Sequence, residues 1–238
     1  MWETILDGRI WSGELINRRR DGSLYDEALT ISPVTNSNGS IQHFVAIKQD
    51  ISARKATEER VQHLAHHDQL TDLPNRVLLS DRLFQSVAQA RRDRSTLALM
   101  FLDLDQFKPV NDTLGHDIGD LLLKEVALRL QACVPRDADT VSRLGGDEFV
   151  ILLAQIDKAS DAVLVAGKIL AAIERPFCIG PHVIGISASI GIAVYPQHGE
   201  DVNQLLKNAD TAMYLAKKTG RNCYRFFRQI TETAGGLA

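Results

Sequence analysis

At 238 residues and 45% hydrophobic content, the chain is long enough for one or two globular domains with sizeable cores. A formal net charge of −3 argues against a nucleic-acid binder that works through a general basic field, and no apolar run approaches the ~20 residues of a membrane span. Cys133, Cys178 and Cys223 are scattered and form no CxxC pattern, and the N-terminus has no signal-peptide pattern, so the expected compartment is the reducing cytoplasm.

The first fifty or so residues have the texture of a β-meander. Residues 13–17, 23–31 and 41–49 are strand-like, separated by turn signals at Arg20-Asp21-Gly22 and Asn36-Ser37-Asn38-Gly39. Three strands of this size are marginal alone and leave an apolar face uncovered. Trp11, Gly13-Glu14, Asn17 and Asp21-Gly22-Ser23 make residues 1–51 resemble the C-terminal half of a PAS sensor domain. Residues 52–65 are charged and alanine-rich, with Val61 and Leu64 spaced for one helix face. They read equally as a linker helix, a short parallel coiled coil between two chains, or a solvated connector.

From residue 66 helix and strand patterns alternate. A helix is expected over 76–92, and the apolar run Leu97-Ala98-Leu99-Met100-Phe101-Leu102 reads as a strand buried on both faces. That strand ends in Asp103-Leu104-Asp105, where α/β sheets usually place ligand chemistry. Ile118, Leu121, Leu122, Val126 and Leu130 have helical spacing. Next, Gly145-Gly146-Asp147-Glu148-Phe149 reads as the turn of a β-hairpin between two apolar strands. Two acids at a turn are by default a solvated loop. Beside Asp103 they would instead form an oxygen-rich cage suited to Mg²⁺, with room for substrate phosphates. Further helices over 159–173 and 201–218 and strands over 187–195 and 224–227 complete an α/β (α+β) sandwich around a central, mostly antiparallel sheet.

Four motifs carry a family resemblance. The stretch from Phe101-Leu102-Asp103-Leu104-Asp105 through Phe107-Lys108, Asn111-Asp112 and Gly115-His116-Asp117 to Asp120 is followed by Arg143-Leu144-Gly145-Gly146-Asp147-Glu148-Phe149. His67-Asp68-Gln69-Leu70-Thr71 with Leu73-Pro74-Asn75-Arg76 precedes them, and Ala209-Asp210 through Tyr214, Lys217 and Gly220-Arg221-Asn222 follows. Over residues 66–229 the chain thus resembles the GGDEF family of diguanylate cyclases, leaving 230–238 as a tail.

The resemblance implies a palm-like nucleotide-cyclase fold and condensation of two GTP molecules into cyclic di-3′,5′-GMP with release of two pyrophosphates. It implies Mg²⁺, or Mn²⁺ in its place, held by Asp103, the backbone carbonyl of Leu104 and Asp147, with Asp147 and Glu148 deprotonating the attacking hydroxyl. The family often carries Glu where this chain has Asp147; the shorter arm keeps the charge. Asn111 and Asp120 are implied to read guanine, the carboxylate accepting from N1–H and the N2 amine. From the residues alone, Asn111 also reads as a helix cap and Asp120 as a first-turn partner of a helix dipole. His116 matches a substrate contact, with a capping or ribose-proximal role equally physical. Lys217, Arg221 and the backbone amides around Phe107 and Lys108 are implied to hold the phosphate tail.

Arg136-Asp137-Ala138-Asp139 has the form RxxD, which alone is an ordinary surface pair. In this register it matches the family's product-inhibition site, where Arg136 and Asp139 grip cyclic di-GMP, and Lys168 adds a basic contact. Because each such domain holds one GTP, the resemblance implies a homodimer. A non-catalytic GTP or cyclic di-GMP receptor is the alternative.

Overall fold

The structure, a computed structural model, describes residues 1–134 and 136–228. The expected tail over 230–238 lies outside the described residues. The chain forms two compact units, Met1–His63 and Leu64–Ala238.

The first unit opens with a short helix α1 (Trp2–Leu6), followed by strands β1 (Trp11–Arg18), β2 (Leu24–Thr35) and β3 (Ile41–Asp50) in an antiparallel sheet of order β1-β2-β3. The turns close as their residue types dictate. Asp21 Oδ1 accepts from the Ser23 amide at 2.9 Å, and Asn36 Oδ1 accepts from the amides of Asn38 and Ser40 at 3.0 and 2.9 Å. Cross-strand register sets Leu15, Leu29 and Ile31 on one face with Phe44 and Ala46. Ile16, Val45 and Ile47 lie on the other face and are exposed. Glu27 is buried, accepting from Tyr25 Oη and Asn17 Nδ2. Helix α2 (Ser52–His66) follows, with no buried residue along its length.

The second unit is built on a five-stranded sheet of order β10-β9-β4-β6-β5, from β4 (Thr96–Asp105), β5 (Thr140–Gly145), β6 (Glu148–Ile156), β9 (Ser187–Tyr195) and β10 (Cys223–Phe226). All pairings are antiparallel except β10 on β9. The expected mostly antiparallel sheet is therefore present. Strand β4 is central and buried from Leu97 onward, which is why its sequence shows no polar alternation. Its even residues Ala98, Met100, Leu102 and Leu104 pack under helices α5 (His116–Cys133) and α6 (Ala159–Glu174). Its odd residues Leu97, Leu99 and Phe101 pack under α3 (Arg76–Asp93) and α7 (Val202–Lys218). The same parity sends Asp103 and Asp105 to the α3/α7 side. A small hairpin of β7 (Phe177–Ile179) and β8 (His182–Ile184) joins α6 to β9, and the sequence reading did not include it.

Helix ends are fixed by side chains. Asn75 caps α3, accepting from the amides of Val77 and Leu78 at 2.9 and 3.2 Å, and Asp201 caps α7, accepting from Gln204 at 2.9 Å. The stretch after β4 differs from expectation. Residues Phe107–Leu114 form a separate helix, α4, ended by Gly115 at φ 87° before α5 begins. Pro109 sits in the first turn of α4, where its missing N–H costs nothing.

No helix among the described residues is long and apolar enough to cross a membrane.

Helix α7 lies almost directly on strand β9. A Cβ added at Gly191 would stand 2.0 Å from the Ala209 carbonyl oxygen and 2.1 Å from the Met213 nitrogen, both backbone atoms that cannot rotate away. Substitution G191A is expected to destabilise the fold by about 1–3 kcal/mol, the cost of overpacking a filled core. Chemical denaturation checks this, and an unchanged midpoint would show that α7 stands off the sheet.

Candidate active site

The site grows from the C-terminal end of β4. Asp103 is paired across the sheet with Glu148 on β6 and Ser189 on β9, so it sits between the two neighbouring strands. It is 7% exposed. Burial pushes its carboxyl up to about 6; a hydrogen bond from Lys217 opposes the rise, while the charges of Asp147 and Glu148 add to it. Lys217 Nζ, from the last turn of α7, lies 2.7 Å from Asp103 Oδ1. Lys217 thus pairs with Asp103, on which the charges of Asp147 and Glu148 also act.

The acids of the hairpin have different stations. Gly145 pairs with Glu148, leaving Gly146 and Asp147 as a two-residue turn, with Gly146 at φ 54°. Glu148 is the first residue of β6 and shares the face of its partner Asp103. Asp147 stands at the tip, and its backbone carbonyl is met by the Leu104 amide at 3.4 Å. Among the described residues no three His, Cys, Asp or Glu side chains are gathered as a ready ligand cluster. The donor set instead comprises two or three carboxylates with the adjoining backbone. A buried carboxyl resisting ionisation beside two further acids is short of positive charge, and hard oxygen donors of this kind fit Mg²⁺ or Mn²⁺.

The turn is clamped by a residue to which sequence reasoning gave no role. Arg143 is buried on β5; its Nε and Nη2 donate to the Gly146 carbonyl at 3.0 and 2.8 Å, and its Nη1 donates to Asp68 Oδ1 at 2.8 Å. Its own amide donates to the Pro74 carbonyl at 3.0 Å. The loop before α3 and the acidic turn are therefore held by one guanidinium. Asp68 also accepts from the Thr71 amide and hydroxyl at 2.9 and 2.6 Å. Burial works against its charge, but the hydrogen bonds from Thr71 and Arg143 outweigh that and hold its carboxyl below the usual range.

The residues implied to bind nucleotide fall on α4, α5 and the end of α7. Asn111 lies within α4 and caps no helix with its side chain, and Asp120 lies beyond the first turn of α5, where Asp117 is the acid. The cap and dipole alternatives therefore fall away. Asn111 Oδ1 is buried without a hydrogen-bond partner, an unsatisfied state that a bound ligand group would relieve. The amide rests on Gly119, where a Cβ would stand 1.8 Å from Oδ1, so the small residue next to Asp120 makes room for Asn111. His116 opens α5 and is exposed. Phe107 is buried in the core, and Lys108 is exposed beside it. Their amides open α4, whose N-cap Gln106 is in the left-handed region and contributes no side-chain cap, so a helix N-terminus is presented without a side chain across it. Arg221 is exposed three residues past the end of α7.

The RxxD pair is closed on itself. Arg136 donates through Nε and Nη2 to the two oxygens of Asp139 at 2.6 and 3.0 Å, and Nη2 also donates to the Gln155 carbonyl at 3.1 Å. Asp139 is nearly buried and accepts a further bond from the Ala154 amide at 3.0 Å. Lys168 is exposed on α6.

Residues 65–223 match the family model described as "Diguanylate cyclase, GGDEF domain", and residues 1–53 match one for a PAS domain. The bifunctional diguanylate cyclase/cyclic di-GMP phosphodiesterase MucR of Pseudomonas aeruginosa is 53% identical over 176 residues, 74% of this chain and 25% of MucR. Diguanylate cyclase TpbB of the same organism is 43% identical over 164 residues, 68% of this chain and 38% of TpbB. The chain thus spans well under half the length of either relative. The crystal structure of the TpbB GGDEF domain aligns with a TM-score of 0.65 at 40% identity, over 66% of this chain and 98% of that one. The coiled coil and GGDEF domain of DgcB from Caulobacter crescentus, in complex with c-di-GMP, aligns with a TM-score of 0.67 at 28% identity, over 74% and 93%.

The clamp gives a pH-dependent expectation. Asp68→Asn is expected to lower the unfolding free energy at neutral pH by about 1–3 kcal/mol, the cost of weakening a charge-assisted pair. The folded Asp68 carboxyl titrates below its unfolded value of about 3.9, so its contribution is full above that value and is lost as pH falls through the folded one. Denaturant titrations of both proteins at neutral and acid pH check this; an equal difference at both would contradict it.

Proposed function

The chain belongs to the GGDEF-domain diguanylate cyclase family, and from that premise we propose that it condenses two GTP molecules into cyclic di-3′,5′-GMP, releasing two pyrophosphates. The observation that carries the reading is the meeting of Asp103, at the C-terminal end of central strand β4, with the Asp147-Glu148 turn; the unsatisfied Asn111 amide on α4 supports it. The Arg143 clamp supports it, since it fixes the acids before any substrate arrives.

Each half-reaction breaks the bond between the α-phosphorus and the bridging oxygen of pyrophosphate and forms one from a ribose 3′-oxygen to that phosphorus. Such a displacement needs alignment and charge neutralisation more than covalent help. Asp120 accepts from guanine N1–H and the N2 amine, and Asn111 completes the base contact. The amides of Phe107 and Lys108 at the start of α4, with Lys217 and Arg221, hold the phosphate tail. Asp103, the Leu104 carbonyl and Asp147 would hold Mg²⁺ or Mn²⁺, which would supply positive charge at the phosphates and lower the cost of ionising the hydroxyl. Glu148, with Asp147, takes the proton of the attacking 3′-hydroxyl. His116 stands at the ribose side.

One set of these residues serves one GTP, so two copies must face each other and the active form is a homodimer. We assign the reaction to the cytoplasm, a reading supported by GTP as the substrate and by cysteines that form no CxxC pattern. Product binding at Arg136 and Asp139, which opens their mutual ion pair, provides feedback inhibition.

Purified protein incubated with GTP and Mg²⁺ is expected to yield cyclic di-GMP and pyrophosphate in a one-to-two ratio, at a rate rising with protein concentration as dimers form. E148Q should lower kcat by about 10²–10⁴-fold, the usual contribution of a positioned base. Absence of product at high protein concentration, after bound nucleotide has been stripped, would leave the non-catalytic receptor. R136A is expected to keep the initial rate and lose the slowing that accompanies product accumulation; progress curves with and without added cyclic di-GMP show which holds.

A further inference from the structure

Asp105, two residues beyond Asp103, is the second buried acid of β4 and takes no part in the metal set or the transfer step above. It is 5% exposed, and its oxygens are fully engaged. Oδ1 accepts from Ser189 Oγ at 2.7 Å, while Oδ2 accepts from Ser187 Oγ at 2.7 Å and from the backbone amide of Asn222 at 3.1 Å. Ser189 is itself wholly buried. A carboxylate satisfied by three protein donors is poorly suited to hold a cation. Its hydrogen bonds do something else.

The amide it receives belongs to an unusual turn. Gly220, Arg221 and Asn222 have φ values of 123°, 60° and 45°, so two non-glycine residues in succession occupy the left-handed region. Such backbone persists only where its surroundings impose it. Here the restraints are the Arg221 amide on the Ala216 carbonyl at 3.1 Å, Asn222 Nδ2 on Glu174 at 3.4 Å, and the charge-assisted bond from the Asn222 amide to Asp105. Arg221 stands between these anchors and lines a cleft of about 670 Å³ together with Asp105, Gln106 and Ser187.

We infer that Asp105 is a positioning residue for Arg221: held in one orientation by Ser187 and Ser189, it locks the left-handed turn so that the guanidinium is presented to the phosphate tail of the nucleotide. The inference rests on the reading above in which Arg221 meets the phosphates beyond the α position. It assigns the second acid of β4 to substrate alignment and leaves the first to the metal.

The test compares wild type, D105N, R221A and the double variant for binding of GTP and of GMP, which lacks the β- and γ-phosphates, with amide exchange at Asn222 as an independent readout. D105N keeps the size of the side chain but removes the charge and leaves one carbonyl oxygen where two carboxylate oxygens met three donors. It is expected to weaken GTP binding about ten-fold, as for loss of one hydrogen bond to a charged group, with GMP binding unchanged. It should add nothing in the R221A background, and it should speed exchange of the Asn222 amide. Equal losses for GTP and GMP, a full further loss in R221A, or unchanged GTP binding would each overturn the inference. If wild type binds neither nucleotide, the assignment of the site fails, whereas unchanged Asn222 exchange in D105N shows separately that Asp105 does not hold the turn. Should D105N not fold, the S187A/S189A pair is measured in the same way and is expected to give the same pattern with smaller amplitude.

Discussion

Two carboxylates at the end of one buried strand set the terms for everything around them. Leaving an ionised acid in an apolar sheet is costly unless charge or donors are supplied on the spot, and β4 carries Asp103 and Asp105 on the same side. The fold answers the two differently. Asp105 receives two serine hydroxyls and an amide, and is neutralised in structure if not in charge. Asp103 receives one lysine and faces two more acids, so its deficit stays open to a ligand. The seating of α7 on the bare backbone at Gly191 is what lets a single helix serve both, with Lys217 at its last turn and Asn222 just beyond.

Much of this was legible in the sequence because hydrophobic period reports burial directly. The unbroken apolar run of β4 signalled a strand covered on both faces, helices α3, α6 and α7 with strand β9 fall within a residue or so of their expected bounds, and the helically spaced Ile118–Leu130 lie within α5. Short elements were missed for a matching reason. The three-residue strands β7 and β8 are too brief to show alternation, and α4 is only eight residues long, with Pro109 in the one turn that tolerates it. Long-range polar pairing leaves no periodic trace at all. Asp68 and Arg143 stood in view within two motifs, yet nothing along the chain says that 75 positions apart they share one guanidinium–carboxylate contact.

The site was legible in part. The acids were expected beside a strand end, and the register of β4 with β6 places Glu148 opposite Asp103. Sequence neighbours Asp147 and Glu148 were treated as a pair, but a two-residue turn separates them into a tip and a strand position. The small residue Gly119 drew no attention because its contribution is an empty volume, filled by the amide of a residue on another helix.

The closed Arg136–Asp139 pair changes how that corner of the molecule must respond to a ligand. Any molecule that would use those groups competes with an intramolecular partner that is always at hand, three residues away. Its apparent dissociation constant is its intrinsic one divided by the fraction of time the pair stands open. A ligand there would bind with its affinity lowered by that fraction, the loss would ease as salt screens the pair, and any nearby residue that shifts the open fraction would retune it without touching the ligand.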